Sequence, residues 1–244
     1  MRNNVLIPCR KVFEYAIDDK LISSSPCERV KNATVQPEEP EPFELDEAND
    51  IIANLREQAG DAWADYLEFA FFAGLRASEQ IALRWEDYDA KAGLLHVERA
   101  RVWAKDKPTT KTHRPRNVEL LDRAKAVIER QRARTRLGRG AIFWHPDLHR
   151  AFNDEQVRRR VFGAAVARLG LRHRPAKQTR HTFATLCLMA GANPAWVAKQ
   201  MGHTSTKMFF ETYSRWIEGA DKGLEKGKVE AAIRPKIARK RGQK

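Results

Sequence analysis

Two arginines, a lysine, a histidine and a tyrosine sit in short strings that each place a charged or nucleophilic group beside a helix end. They are Arg76 in Gly74-Leu75-Arg76-Ala77-Ser78-Glu79, Lys111 in Thr110-Lys111-Thr112, Arg180 in Arg180-His181-Thr182-Phe183-Ala184-Thr185, His203 in Met201-Gly202-His203-Thr204-Ser205, and Tyr213, ten residues beyond His203. Each alone has an ordinary reading: an Arg–Glu pair in a helix connection, a solvated lysine, a turn histidine, a tyrosine packed in a core. As a set, the residue types suit chemistry at a phosphate. A guanidinium is a charged fork that binds two oxygens at once, and an imidazole donates a hydrogen bond in either charge state. A phenol of pKa about 10 is mostly protonated at neutral pH, so it attacks only beside positive charge and a proton acceptor.

Other constellations carry less. His145-Pro146-Asp147-Leu148-His149 has two imidazoles, but Pro146 disfavours a helix interior and no further ligand cluster accompanies it, so no metal is expected. No GxxxxGK string followed by Ser or Thr occurs, which leaves a nucleotide-fuelled mechanism and a cofactor without support. Arg158, Arg159 and Arg160 on an expected helix, with Lys105 and Lys107, are candidate contacts to the phosphates of a polyanion, against the bland reading of a solvated face.

The elements that must position these groups are mainly helical. Apolar residues recur at helical spacing over Val5–Asp19, Leu45–Gln58, Ala62–Ala73, Arg123–Leu137, Asn153–Leu169, Thr179–Ala190, Pro194–Met201 and Thr206–Trp216, with a short helix Glu79–Leu83 after a stop at Gly74. Gly93–Val102 and Lys111–Leu120 predict a small antiparallel sheet joined by the Lys-rich connection Ala104–Thr110. Ser23–Pro42 is rich in Ser, Pro and Glu and reads as a linker, dividing residues 1–36 from residues 37–244. The Val5–Asp19 pattern starts without a cap, as though inside a larger element, and Glu225–Lys244 joins a weak apolar pattern to a basic end.

Composition narrows the class of function. The 244 residues hold 45 Lys and Arg against 32 Asp and Glu, a formal net charge of +13. The apolar run around Trp63–Leu75 is interrupted by Asp65 and Glu68 and is too short to cross a bilayer, and MRNNVLIPCRK lacks a signal-peptide core. Cys9, Cys27 and Cys187 have no metal-like spacing and fit a reducing, cytoplasmic setting. Basic clusters recur at Arg99–Lys107, Lys111–Arg116, Arg130–Arg139, Arg158–Arg160, Arg172–Arg180 and Lys236–Lys244. A membrane anchor would gather its charge in one block, whereas this dispersal suits a surface that follows a long polyanion.

Taken in order, GLRASE, TRHTFAT, MGHTS and ETYSRW resemble the motifs of the catalytic domain of the tyrosine recombinases, the phage integrase family, over about Pro42–Trp216. Val5–Asn32 is similar to the end of that family's core-binding (SAM-like) domain. The resemblance implies the tyrosine recombinase catalytic fold, mainly α with a small antiparallel sheet. It also implies a site-specific DNA recombinase of a phage or genomic island, acting without metal or ATP. Catalytic roles are implied for Arg76, Lys111, Lys177, Arg180, His203 and Tyr213. The arginines would clamp the scissile phosphate, Tyr213 would attack it to give a 3′-phosphotyrosine, and Lys111 would protonate the leaving 5′-oxygen. His203 would hydrogen-bond the phosphate or steady Tyr213.

The family commonly has a histidine three residues before the second arginine; here that residue is Lys177, which normally carries its proton and cannot accept another. His181 is the neighbouring substitute, although family analogy makes it structural, in the helix behind the site. The implied partners are double-stranded attachment sites, a homotetramer on synapsed DNA, monomer without DNA, and an accessory DNA-bending protein. The tail Glu225–Lys244 would pack on a neighbouring protomer. Lys177 keeps open an alternative, a recombinase-like DNA-binding protein that no longer cuts; a basic nucleic-acid module with chance matches is the third reading. A covalent DNA adduct separates the first reading from both others.

Overall fold

The computed structural model describes residues 2–33, 39–107, 115–138, 140–152, 158–203, 205–221 and 224–233. It divides into two units, Met1–Glu39 and Pro40–Lys244. The first contains helix α1, Arg2–Asp18, which accommodates Pro8. Arg10 ties this helix to the turns after it, donating to Asn32 Oδ1 at 2.9 Å and to the Val30 carbonyl.

In the second unit, Glu44 caps helix α2 (Leu45–Gln58), its backbone N–H donating to Glu47 Oε2 at 2.8 Å. Helix α3 (Asp61–Phe72) is apolar almost all round and is accordingly buried almost all round. Two of its three acids, Asp65 and Glu68, are buried as well. Arg56 of α2 and Arg123, Arg130 and Arg134 of a later helix neutralise them, with Arg130 Nε donating to Asp65 Oδ1 at 2.8 Å and Arg123 Nε to Glu68 Oε1 at 2.7 Å. Unpaired, those carboxylates would cost several kcal/mol. Part of the Arg130–Arg139 cluster thus serves the protein's own interior and not an external polyanion.

The chain leaves α3 through Gly74 (φ +66°) into a short helix α4, Ala77–Gln80, earlier than the expected Glu79–Leu83. A 3-10 turn at Trp85–Asp87 precedes a three-stranded antiparallel sheet of β1 (Tyr88–Asp89), β2 (Leu94–Val97) and, further along the chain, the strand Arg116–Glu119, in the order β1, β2, Arg116–Glu119. Leu95 faces Val118 and Val97 faces Arg116, which turns Leu95, Val97 and Val118 into the core.

The sheet differs from the sequence expectation in one respect. Gly93–Val102 is not one strand: it breaks after Val97, and β3 (Ala100–Val102) pairs with β4 (Lys105–Lys107), inside the segment expected to be a connection. Trp103 and Ala104 between them have φ of 52° and 60°, which sets a two-residue turn whose twist matches a tight hairpin. Asp106 fastens the hairpin, accepting from Arg101 Nη2 at 2.9 Å and Arg84 Nη2 at 3.1 Å. Lys105 and Lys107 are exposed on β4. β5 is Arg116–Glu119, described above.

Helix α5 (Asp122–Thr135) carries the arginines that meet Asp65 and Glu68, and a 3-10 turn follows at Arg136–Gly138. A second unexpected hairpin, β6 (Trp144–His145) with β7 (Arg150–Ala151), holds the string considered for metal binding. The His145 ring lies 5.4 Å from both Trp63 and Phe152, so it packs on the core. Helix α6 runs Arg158–Arg168; the rest of the expected start at Asn153 lies outside the described residues. Arg159 and Arg160 are exposed, but Arg158 is buried, which removes it from the surface where a DNA contact was expected.

Helices α7 (Gln178–Met189), α8 (Pro194–Met201) and α9 (Thr206–Asp221) surround a second, smaller core of Phe183, Leu188, Val197, Met201, Phe209 and Tyr213. Asn193 starts α8, its Oδ1 accepting from Ala195 N at 2.8 Å, with Pro194 in the first turn; Gly202 (φ 68°) stops it. α10, Leu224–Ile233, is the last described element. α3 packs against α2, α5 and α7, and α8 against β5, which brings the start of α4, the start of β5, the first turn of α7 and the end of α8 together.

Gly74 is the joint of this arrangement, since a Cβ there would stand 2.4 Å from the Phe183 ring in a backbone conformation that L side chains avoid. Gly74→Ala should therefore destabilise the unit by about 1–3 kcal/mol. The denaturant midpoint should fall with an unchanged slope, and an unaltered midpoint would contradict this packing.

Candidate functional site

Arg76 caps α4 in extended conformation (φ −70°, ψ 148°), and Glu79 three residues on folds back onto it. The Arg76 backbone N–H donates to Glu79 Oε2 at 3.1 Å and its Nη1 donates to Oε1 at 2.7 Å. Arg116, first residue of β5, reaches the same carboxylate, donating from Nη2 to Oε2 at 2.7 Å and from Nε to the Gln200 carbonyl at 2.9 Å. Arg180, in the first turn of α7, donates to the carbonyls of Gly74 and Met201, each at 2.6 Å. Gly202 serves two needs: its positive φ ends α8, and a Cβ there would stand 2.7 Å from the Arg116 guanidinium carbon. Its carbonyl accepts from Arg76 Nη2 at 3.2 Å.

Three guanidiniums thus gather on one buried carboxylate and four backbone carbonyls. Burial, the largest influence on Glu79, pushes its carboxyl upward, but the Arg116 hydrogen bond and the charges of Arg116, Arg180 and Arg76 outweigh it and hold the group below its usual range. Burial and the repulsion of Arg76 and Arg116 push Arg180 down to about 9, so it keeps its charge at neutral pH. With three positive groups and one negative, the cluster has a positive excess aimed by fixed N–H vectors, which suits the oxygens of an anion.

His203 follows Gly202. Its Nδ1 is buried and makes no hydrogen bond among the described residues, and its ring stands edge-on to Phe209 at 5.4 Å. Burial first, then the charge of Arg180 and Arg76, pushes His203 down to about 4. Tyr213 on α9 is fully buried, its ring 4.7 Å from Phe209 and 6.0 Å from Trp216. Its Oη lies 2.6 Å from Nδ1 of His181. Burial raises the phenol well above its ordinary range against the opposing charge of Arg180, so it holds its proton.

The sequence-expected residues Arg76, Arg180, His203 and Tyr213 therefore converge. Lys177 stands at the N-cap of α7, exposed, close enough to Arg180's neighbour His181 for its charge to be felt there. Lys111 lies outside the described residues. Glu79 and Arg116 were missed as a pair. Glu79 was visible within GLRASE and Arg116 within the strand-like RNVEL, but nothing local to either string shows that they meet. Among the described residues no group of three or more His, Cys, Asp or Glu could hold a metal ion, and no described helix is long and apolar enough to cross a membrane.

Residues 42–217 match the model of the phage integrase family. Two proteins of Escherichia coli K12 are similar: the prophage integrase IntR, 32% identical over 88% of this chain, and IntQ, whose name calls it defective, 29% identical over 88%. The chain spans 57% and 60% of their respective lengths. Among solved structures, the integrase of transposon Tn1549 in complex with transposon right end DNA superposes with a TM-score of 0.66 at 18% identity, covering 94% of this chain and 78% of that one. XerA recombinase does so with a TM-score of 0.59 at 17% identity, covering 97% and 78%. At these identities the structural likeness speaks to fold: mainly helical with small antiparallel sheets, as in tyrosine recombinase catalytic domains.

Proposed function

Because the chain belongs to the phage integrase family, we propose that it cleaves and rejoins DNA at attachment sites through a covalent 3′-phosphotyrosine intermediate, without metal or ATP. The observation that carries this reading is the cationic cluster of Arg76, Arg116 and Arg180, with Arg180 close enough for its charge to act on a tyrosine whose hydroxyl meets the neutral imidazole of His181. Arg76 and Arg180 bind the non-bridging oxygens of the scissile phosphate, exchanging the carbonyls of Gly202, Gly74 and Met201 for oxygens that carry charge. Arg116 holds Glu79, and Glu79 aims Arg76. Tyr213 attacks phosphorus, Lys111 protonates the leaving 5′-oxygen, and His203 donates to a phosphate oxygen.

On this reading residues 1–36 close a core-binding domain and residues 37–244 form the catalytic domain. Arg159, Arg160, Lys105 and Lys107 meet backbone phosphates, with the protein cytoplasmic, monomeric alone and tetrameric on synapsed DNA. The full burial of Tyr213 favours a second reading, a DNA-binding relative that does not cut. One experiment decides. Nicked duplexes of randomised sequence, incubated with the protein and then denatured, should yield an enriched set still bonded to it. Proteolysis should leave the bond on the peptide containing Tyr213. Retention that vanishes on denaturation would establish the second reading.

A further inference from the structure

We propose that His181 is the proton acceptor for Tyr213, its Nδ1 taking the phenolic proton as the phenol oxygen bonds to phosphorus. This rests on the recombinase reading and adds to it the group that makes the phenol a nucleophile. The geometry is direct: Oη and Nδ1 are 2.6 Å apart across the packed pair α7 and α9, with the rings 5.8 Å apart and tilted by 45°. Among the described residues His181 is the base that bonds the Tyr213 hydroxyl, and the other candidates stand differently. Glu79 is taken by Arg76 and Arg116, His203 is edge-on to Phe209, and Lys177 is an exposed amine at the α7 N-cap.

The charged and titratable groups around His181 act in one direction. Arg180 and Lys177 lie on its own helix and N-cap, Tyr213 faces it from α9, and His203 lies within electrostatic reach beyond α8. Burial first, then the charges of Arg180 and Lys177, pushes His181 down to about 4. The ring is therefore neutral at physiological pH, and with its proton on Nε2 it presents a lone pair to the phenol.

In the forward step the O–H bond of Tyr213 breaks, its electron pair forms the O–P bond, and the proton moves to Nδ1. The bond from phosphorus to the 5′-oxygen breaks with its pair on oxygen, which takes a proton from the general acid. In rejoining, the 5′-hydroxyl gives its proton back to the deprotonated general acid as its oxygen bonds to phosphorus, the bond from phosphorus to the Tyr213 oxygen breaks with its pair on oxygen, and that phenolate recovers its proton from His181. Arg180 beside the imidazolium favours that return.

The test uses this chain and nicked duplexes that it retains covalently, followed over pH. The unsubstituted protein should cleave at a rate that is flat across neutral pH and falls only as the medium approaches pH about 4, where the acceptor is lost. His181→Asn, which keeps a hydrogen-bonding amide but takes up no proton, and His181→Ala should cleave about 10²–10³-fold more slowly while retaining uncut DNA normally. Their rates should rise tenfold per pH unit as hydroxide replaces the base, and imidazole in the buffer should restore the Ala variant. A flat profile at parental rate in either variant overturns the proposal, as does a slow rate with no pH slope and no imidazole rescue, which marks a structural contact. If neither variant folds, a tenfold-per-unit rise in the unsubstituted protein overturns it alone. A parent that forms no adduct with any duplex refutes the recombinase reading itself, and this assignment with it.

Discussion

Tyr213→Phe is expected to eliminate the denaturant-resistant DNA complex entirely while the protein still folds and retains DNA. The substitution removes one oxygen from a ring packed among Phe209, Trp216 and His181, so the volume of the second core is preserved. What is lost is the hydrogen bond to His181 Nδ1, which costs about 1 kcal/mol in a site of this kind. Against that small loss of stability stands a complete loss of the atom that bonds to phosphorus. Gel retention after boiling in detergent measures the adduct, and ordinary filter binding measures the non-covalent complex. An adduct surviving in the Phe variant would move the nucleophile to a neighbouring hydroxyl, with Thr212 and Ser214 flanking the position.

The second large effect belongs to Arg180→Lys. Lysine keeps the charge but its donors radiate from one nitrogen, whereas Arg180 spans two acceptors with two nitrogens of a planar fork, the carbonyls of Gly74 and Met201. A donor aimed where charge develops in the transition state contributes about 10²–10³ in rate, so cleavage should fall by that factor while equilibrium DNA binding falls far less. Single-turnover cleavage at saturating protein isolates the chemical step. Equal losses in rate and affinity would instead make Arg180 one of many backbone contacts.

The parts of the site that were legible in the sequence are those where chemistry and local structure share a few residues. Gly74 had to end a helix and Arg76 had to follow it; Arg180 opened an apolar helix; His203 followed a helix-stopping glycine. What was hidden depends on residues far apart in the chain. The bond between Glu79 and Arg116 joins positions that only the packing of β5 beside α4 and α8 brings together. Arg158, Arg159 and Arg160 look alike in sequence, yet helical rotation buries the first and exposes the other two. Arg130 and Arg134 read as surface charge because two of the acids that claim them, Asp65 and Glu68, are hidden in a largely apolar helix. The β3–β4 hairpin escaped notice because Trp103-Ala104 fills a turn ordinarily signalled by Asn or Gly.

The long reach of the Glu79 cluster also orders events during synthesis. Arg76 and Glu79 are translated early, but the carbonyls of Gln200, Met201 and Gly202 that complete the surroundings of the three guanidiniums leave the ribosome much later, and Tyr213 later still. A growing chain can therefore present positive charge to DNA long before it has a finished site or a nucleophile. On the assignment proposed for Tyr213, a product terminated before that residue lacks the nucleophile and forms no adduct. On that assignment the order of the residues makes the nucleophile the last part of the site to be completed.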